Sequence, residues 1–178
     1  MRDTELYRQI LGIESPWEVE SVELSIGEGR VDVHLKHKTG VKWQCPECGQ
    51  ELTIYDHAEE RSWRHLDTCQ FRTLIHARVP RVDCDEHGVR QVRVPWAEPK
   101  SRFTLLMERL VIDVLRETAT VEGARRLLNL SWDEVQGVMQ RAVKRGKARR
   151  KREPKPLIGV DEKSFRRGHK YMTIVCDL

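Results

Sequence analysis

Two short turns carry the clearest chemistry of this sequence. Cys45 and Cys48 form a Cys-x-x-Cys knuckle, and Cys84 and His87 form a Cys-x-x-His knuckle. A turn of this kind presents two ligands at adjacent corners of a tetrahedron, so two turns complete the four-ligand sphere of a structural zinc site. The spacing therefore predicts a closed Zn²⁺ site that stabilises a fold, and any reaction must be carried by other residues.

Other cysteines and histidines compete for these four positions. Each stands alone, without a partner at knuckle spacing, and we expect packed or surface residues at Cys69, His57, His65 and His76. Cys69 is the first substitute if His87 is not a ligand. The alternative to a zinc site is a set of buried cysteines with a surface histidine, although chance rarely produces two paired knuckles.

A carboxylate stands in an apolar stretch near the end of the sequence. Asp161 follows Ile158, Gly159 and Val160, and a basic loop and a second apolar stretch come after it. A charge in such a strand is costly unless it binds something, and a divalent cation is the natural partner. Enzymes that cut and join nucleic acids hold paired Mg²⁺ ions with several carboxylates, so Asp161 alone would not suffice.

Positive charge is concentrated in one short stretch. The chain has a net charge of +4, but residues 141–155 contain nine Lys or Arg and one Glu, so this stretch carries +8 and the rest of the chain −4. A local basic run favours a polyanionic partner. Without further support, such a run is more often only a solvated linker.

The residues ahead of the basic run have the pattern of a helix-turn-helix. Residues 121–128 predict a short helix, Asn129 suits a helix end, and Ser131 and Glu134 have the spacing of a capping box that opens another helix. One departure is Arg125, at a position where such units usually have a small residue. The alternative is a helical hairpin that only packs against its neighbours.

The helix that follows Ser131 would present polar and basic groups to solvent. Amide and guanidinium groups can contact base edges, and lysines and arginines can contact phosphates. We therefore predict DNA contacts from the outer face and its basic extension, at Trp132, Gln136, Gln140, Arg141, Lys144, Arg145, Lys147, Arg149 and Arg150.

The spacing of apolar residues predicts the strands and helices that position these groups. Alternating apolar residues predict a hairpin over 17–37 and extended segments over 61–67 and 71–82, with packing roles for the tryptophans in this region, Trp17, Trp43, Trp63 and Trp96. From Ser101 onward the spacing becomes helical and predicts a tri-helical unit. Two further strands are predicted over 157–161 and 171–178, with Cys176 in the core.

Composition narrows the class of protein. The chain has 178 residues, of which 39% are hydrophobic and 34% charged, which is typical of a globular protein. Its first residues lack the pattern of a secretory signal and no stretch is apolar enough to span a membrane, so we expect a cytoplasmic protein. Five cysteines, an odd number at these spacings, argue against a disulfide framework.

The order of these motifs closely resembles the ISL3 family of bacterial insertion-sequence transposases. The resemblance extends from about Cys45 to the end of the sequence. It rests on the two knuckles and on four phrases, Arg64-His65-Leu66-Asp67-Thr68-Cys69, Glu86-His87-Gly88-Val89-Arg90, Leu130-Ser131-Trp132-Asp133-Glu134, and Gly159-Val160-Asp161-Glu162 ahead of a Gly-His-Lys-Tyr turn.

The resemblance implies an α+β protein in three parts. We expect a β-rich, zinc-ribbon-like domain over 1–98, a helix-turn-helix domain with its basic extension over 99–152, and the first β-hairpin of an RNase H-like catalytic domain over 153–178. It also implies an Asp-Asp-Glu triad of which Asp161 is the first member, catalytic Mg²⁺ in a full-length enzyme, and double-stranded DNA with terminal inverted repeats as partner. A homodimer in the DNA complex and association with the nucleoid are further expectations.

The remaining triad members should come many residues after the first, and the sequence stops at Leu178. We therefore expect a truncated front part of a transposase that is not catalytically competent alone. The alternative is a stand-alone zinc-dependent DNA-binding regulator or a repressor of transposition. A zinc-ribbon protein that mainly contacts other proteins is a third interpretation, and it predicts no affinity for DNA.

Overall fold

The strand-like alternation of the first hundred residues builds a sheet, and the helical spacing after it builds a bundle. A computed structural model describes residues 2–151, 157–168 and 170–177. It divides into the units Met1–Met139 and Gln140–Leu178. In chain order the elements are α1 (Asp3–Leu11), β1 (Trp17–Ser25), β2 (Arg30–His37), β3 (Trp43–Gln44), β4 (Glu51–Leu52), β5 (Ile54–Arg64), β6 (Arg72–Cys84), β7 (Gly88–Gln91), α2 (Leu105–Thr118), α3 (Val121–Leu128), α4 (Trp132–Arg149), β8 (Ile158–Arg166) and β9 (Lys170–Asp177).

Five strands of the first unit form one sheet. Its order is β1-β2-β6-β5, with β7 paired to β6. β1 and β2 are antiparallel, which confirms the predicted hairpin. β2 and β6 run parallel, from Arg30 opposite Arg72 to Leu35 opposite Ala77. β3 and β4 form a separate two-stranded ribbon that carries the first knuckle between its strands.

The core of the sheet is rich in aromatic side chains. Trp17 packs edge-to-face on Trp96 and Trp43, with ring centroids 4.8 and 5.4 Å apart, and Trp63 contacts Trp96 at 5.6 Å. All four rings are buried, so their predicted packing role is confirmed. Buried residues of β2, β6 and α1 complete this core, among them Val31, Val33, Ile75, Ala77, Tyr7 and Leu11.

The predicted tri-helical unit is present, and its helices are capped by side chains. The hydroxyl oxygen of Thr104 accepts the N–H of Met107 at the start of α2, and that of Thr120 accepts the N–H of Gly123 at the start of α3. Asn129 adopts the left-handed conformation that ends α3. A second hydrophobic core joins these helices and includes Met107, Val111, Ala124, Leu130, Val135 and Val138.

The predicted capping box opens α4. The backbone N–H of Ser131 donates to Glu134 Oε2 at 2.8 Å, and the N–H of Glu134 donates to Ser131 Oγ at 3.3 Å. Arg125 does not obstruct the helix pair, because Ala124, one residue earlier, is the fully buried position of α3. Arg125 lies half-buried and pairs with Glu122 at 2.6 Å.

A short extended segment attaches the helices to the sheet. Phe103 forms a parallel bridge with Arg64 at the end of β5, where the Arg64 N–H donates to Arg102 O at 2.8 Å and the Thr104 N–H donates to Arg64 O at 3.0 Å. His65 is buried beside this bridge, and its Nδ1 lies 2.9 Å from Thr104 Oγ1. The segment predicted as a strand over 61–67 therefore belongs to a longer β5 that ends at Arg64, and the next residue contacts the cap of α2.

The second unit contains an antiparallel hairpin of β8 and β9, and these strands overlap in sequence with the two that were predicted. Its described side chains are mostly exposed, including apolar residues on both strands such as Val160, Ile174 and Val175. Cys176 is exposed, so its predicted place in a core is wrong. The reason is that the described part of the second unit contains only this two-stranded sheet and the end of α4, and two strands alone enclose no core. No helix among the described residues is long and apolar enough to cross a membrane.

Candidate metal centre and nucleic-acid interface

The two knuckles meet at one point of the first unit. The ligand atoms of Cys45, Cys48, Cys84 and His87 all lie within 4.8 Å of one another. Cys48 Sγ is 3.7 Å from Cys84 Sγ, and His87 Nδ1 is 3.5 Å from Cys84 Sγ and 4.0 Å from Cys45 Sγ. Among the described residues, no other group of three or more such side chains converges in this way.

Two of these three separations match those around a tetrahedral zinc ion, and the third, from Cys45 Sγ to His87 Nδ1, is longer at 4.0 Å. Bond lengths of about 2.3 Å to sulfur and about 2.0 Å to nitrogen place two sulfurs about 3.8 Å apart and a sulfur and a nitrogen about 3.5 Å apart. The Cys48–Cys84 and Cys84–His87 separations agree with these values. Three sulfurs and one nitrogen also leave no open position for a substrate. The arrangement suits a structural metal.

Local backbone geometry aims the ligands inward. Gly49 follows the first knuckle and Gly88 follows the second, and both adopt left-handed backbone conformations, with φ of 78° and 64°. Gly49 donates its N–H to Cys45 O at 2.9 Å, and the His87 N–H donates to Cys84 O at 3.1 Å. Sequence reasoning missed these glycines, although a glycine directly after each knuckle was visible.

The two thiols of the first knuckle differ in the direction of their pKa shifts. The pKa of Cys45 is lowered, chiefly because the backbone N–H groups of Cys48 and Glu47 stabilise its thiolate. The N–H of Gln50 lowers the pKa of Cys48, but burial and the neighbouring sulfurs of Cys45 and Cys84 outweigh it, so the net pKa is raised. The thiolate form, in which cysteine binds zinc, is thus favoured more at Cys45 than at Cys48.

The competing residues lie elsewhere. Cys69 is exposed, and His65 is buried against Thr104. His57 Nε2 lies 2.8 Å from His37 Nε2, and His76 pairs with the buried Asp32 at 2.7 Å. Each of these histidines has its own polar contact outside the cluster, as expected.

The residues predicted to contact DNA lie on α4 and directly after it. Trp132, at 53% exposure, stands at the N-terminus of the helix. The structure leaves six of the nine predicted residues exposed, namely Trp132, Gln140, Lys144, Lys147, Arg149 and Arg150. Gln136, Arg141 and Arg145 are half-buried. Because Val135 and Val138 face the core, the surface that contains Gln136 and Gln140 faces outward.

Both described modules match family models. Residues 42–87 match the zinc-finger of transposase IS204/IS1001/IS1096/IS1165, and residues 92–143 match the helix-turn-helix domain of transposase family ISL3. The chain belongs to the ISL3 family of transposases. In this ISL3 chain the zinc-finger match contains all four candidate metal ligands, and the helix-turn-helix match contains α2, α3 and the first two-thirds of α4.

Curated relatives of this ISL3 chain are transposases. The transposase for insertion sequence element IS1557 of Mycobacterium tuberculosis is 31% identical over 183 residues, covering 99% of the chain and 41% of the relative. The transposase for IS1001 of Bordetella parapertussis is 26% identical over 162 residues, covering 89% of the chain and 39% of the relative. The chain thus spans about two-fifths of the length of these relatives. No solved structure matches it.

Asp161 occupies an exposed position on β8 of the ISL3 chain. It lies opposite Ile174 in the hairpin register, and one of its carboxylate oxygens, Oδ1, accepts the backbone N–H of Glu162 at 2.8 Å. Successive strand residues point to opposite faces, so Asp161 and Glu162 belong to different faces of β8. Among the described residues, Asp161 belongs to no group of three or more side chains that could hold a metal ion.

Proposed function

We propose that this chain is the DNA-recognising portion of a DDE-type transposase and that it binds the terminal inverted repeats of its insertion element. The observation that carries the proposal is the capped α3–turn–α4 pair, which directs a polar and basic helix face outward. In a helix-turn-helix the second helix enters the major groove, where its first turns contact base edges. Gln136 and Gln140 would contact bases, because a side-chain amide can pair with adenine.

The basic extension of α4 would follow the phosphate backbone. Lys144, Lys147, Arg149 and Arg150 are exposed, and Arg141 and Arg145 add further charge. Each phosphate that such side chains neutralise releases counterions and strengthens binding at low salt. Trp132 would pack against the backbone or a base at the entry of the helix. The partner is therefore double-stranded DNA.

The metal centre would have a structural role. One Zn²⁺ would be held by Cys45, Cys48, Cys84 and His87, because their ligand atoms converge within 4.8 Å and the set of three sulfurs and one nitrogen is closed. The ion would join β6 to the ribbon formed by β3 and β4. Zinc thereby supports the sheet on which the helices rest, and it would take no part in strand transfer.

The hairpin of β8 and β9 would be the first hairpin of an RNase H-like catalytic domain. Its apolar side chains are exposed on both strands, which is the pattern of a sheet that further structure covers. Asp161 would be the first of three carboxylates that bind Mg²⁺, and Mg²⁺ would activate the attacking oxygen and stabilise the leaving one. The 178-residue chain alone would bind DNA without cutting it.

Two further expectations belong to this proposal. Paired terminal repeats would bring two copies of the protein together, so a homodimer could form in the DNA complex. The protein would act in the bacterial cytoplasm at the nucleoid. A stand-alone regulator or repressor of transposition is the alternative, because the zinc cluster, α3 and the first turns of α4 all lie within the first unit.

The test is a binding assay with the 178-residue chain and duplexes carrying the terminal sequences of the element that encodes it. We expect a preference for these duplexes over scrambled ones, and the double variant Gln136→Ala, Gln140→Ala should reduce that preference by roughly tenfold or more. Gln9→Ala on α1 is the matched control and should change nothing. Equal affinity of the wild-type chain for terminal and scrambled duplexes would contradict the proposal.

A cleavage assay with Mg²⁺ separates the two functional readings. Extending the chain through the segments that its relatives possess should confer Mg²⁺-dependent cutting, and Asp161→Asn should abolish it. Specific binding without cutting by any extended form would favour the regulator.

A further inference from the structure

An arginine-lined pocket lies between the sheet and the turn of the helix-turn-helix. Its volume is about 260 Å³, and every residue that lines it belongs to the first unit. The sheet contributes Ser62, Arg64, Arg72 and Leu74, the connecting segment contributes Arg102 and Phe103, and the helix pair contributes Asn129, Leu130 and Glu134. Neither the zinc cluster nor the outer face of α4 includes this pocket.

The charges in the pocket are not balanced. Arg64 is committed to an ion pair with Asp67 and donates to His65 O at 3.2 Å. Glu134 is committed to the capping box, where its Oε2 accepts two hydrogen bonds from Ser131. Arg72 and Arg102 are exposed, and neither makes an ion pair with any residue that the structure describes. Two guanidinium groups are thus available to an anion.

The chemistry of the pocket favours a phosphodiester. A guanidinium group offers planar pairs of N–H donors that match phosphate oxygens in bidentate geometry. The pocket also adjoins Asn129, Leu130 and Glu134, which form the turn and the first turn of α4. When the first turns of a recognition helix enter the major groove, the DNA backbone that borders the groove passes beside them.

We infer that this pocket binds a backbone phosphate of the same DNA that α4 reads, with Arg72 and Arg102 as its ligands. The inference rests on the proposed DNA-binding function and extends it to the sheet. Phosphate contacts position a protein on the duplex, whereas base contacts specify the sequence. The zinc-bearing sheet would therefore be a second DNA-contacting surface that sets the orientation of the recognition helix.

The experiment measures binding of the 178-residue chain to a mixed-sequence 30-base-pair duplex by fluorescence anisotropy over a series of salt concentrations. The double variant Arg72→Ala, Arg102→Ala should bind about tenfold more weakly near 0.1 M salt, and the slope of log K against log salt should fall by about 0.9 for one lost phosphate contact. Both side chains are exposed, so the melting temperature should stay unchanged.

Arg78→Ala is the matched control, because Arg78 is an exposed arginine of β6 that does not line the pocket. It should leave the salt slope near the wild-type value. Glu134→Gln gives a prediction of opposite sign, because glutamine retains the capping pattern while the variant loses a negative charge. That variant should bind the duplex several-fold more tightly, which damage to the fold could not mimic.

The outcomes separate the two claims. Wild-type binding with unchanged affinity and slope in the double variant would overturn the phosphate pocket and leave the function of α4 intact. Absence of wild-type binding to any duplex would overturn both. If inorganic phosphate raises the melting temperature through Arg72 and Arg102 while duplex affinity does not depend on them, the pocket holds a free anion and the inference is wrong.

Discussion

His65 is a neutral side chain in a place that disfavours a charged one. It is buried at 4% exposure between the end of β5 and the N-cap of α2. Burial lowers its pKa to about 4 from the ordinary value of 6.5, and the nearby Arg64 acts in the same direction while Asp67 opposes it. The neutral ring can accept the Thr104 hydroxyl hydrogen at Nδ1.

This shift predicts a loss of stability in mild acid. The unfolded chain binds a proton at His65 near pH 6.5, and the folded chain binds it only near pH 4. The stability that comes from burying neutral His65 is therefore fully present above pH 6.5 and is lost as the pH falls toward 4. Its size is on the order of 3 kcal/mol, since one pKa unit corresponds to about 1.4 kcal/mol.

His65→Asn should retain a hydrogen bond to Thr104 and remove the titration. We therefore expect the difference in unfolding free energy between wild type and variant to depend on pH between 4 and 6.5 and to be constant above pH 7. Chemical denaturation at matched pH values gives this difference, and the acid loss of any metal cancels because both proteins share it. Parallel stability curves across the whole range would contradict the prediction.

At the residue scale, the four residues of the candidate metal cluster could be predicted from sequence. Paired knuckles contain their own geometric constraint, so Cys45, Cys48, Cys84 and His87 could be selected without a structure. Burial could not be predicted in the same way. Nothing in the composition distinguishes His65, which lies in the junction between sheet and helices, from an exposed histidine, because the distinction arises from contacts between distant segments.

At the scale of elements, Gly123 sets the distance between the end of α2 and the start of α3. A Cβ atom at this position would lie 2.9 Å from Thr118 Cβ and 3.0 Å from Thr120 Oγ1. Thr120 is the N-cap of α3, and its hydroxyl oxygen accepts the Gly123 N–H. A methyl group would thus meet an atom close to the backbone and also the capping hydroxyl.

Gly123→Ala should destabilise the tri-helical unit by about 1–3 kcal/mol, because overpacking and a displaced cap outweigh the helix propensity of alanine. Gly146→Ala is the matched control. It lies within α4, and its Cβ would meet no atom within 4 Å. There alanine should stabilise the helix by up to about 1 kcal/mol. Thermal melts followed by circular dichroism should show opposite shifts, and a stabilising effect of Gly123→Ala would refute the steric account.

Local patterns predicted the helices better than the sheet. Capping residues and 3.6-residue spacing identify α2, α3 and α4 because both signals lie within each element. The parallel pairing of β2 with β6 was not predicted, since it joins strands separated by the whole first knuckle and β5. α1 was missed although Asp3 and Glu5 in its first turn, Gly12 at its end, and the buried Tyr7 and Leu11 are typical of a capped amphipathic helix.

At the scale of the whole molecule, the first unit contains the metal cluster, the sheet, α2, α3 and the first turns of α4. The bridge between Arg64 and Phe103 continues backbone hydrogen bonding from β5 into the segment that caps α2. Leu66, beyond β5, packs on the helical core, so apolar contacts cross the same junction. The sheet and the helices should therefore unfold together.

Zinc removal should reveal this coupling. With Trp132→Phe in the background, the remaining tryptophans report on the sheet and circular dichroism reports on the helices. Chelation or Cys84→Ser should lower both transitions together, by more than about 10 °C, because the binding energy of a structural zinc is also folding energy. Cys69→Ser is the matched control, since Cys69 is exposed and outside the cluster. A helical transition that stays in place after zinc loss would show that the parts fold independently.

The parallel pairing of β2 and β6 also bears on how the chain folds. Parallel strands can pair only after a long loop has closed, and loop closure costs entropy before any contact repays it. That loop covers residues 38–71 and contains the first knuckle, and the second knuckle begins at the last residue of β6. A zinc ion captured by both knuckles early in folding would bring the ribbon of β3 and β4 to the end of β6 and would thereby shorten the loop that must close. The metal would then act as a kinetic clamp as well as a structural one, and refolding should be faster in its presence.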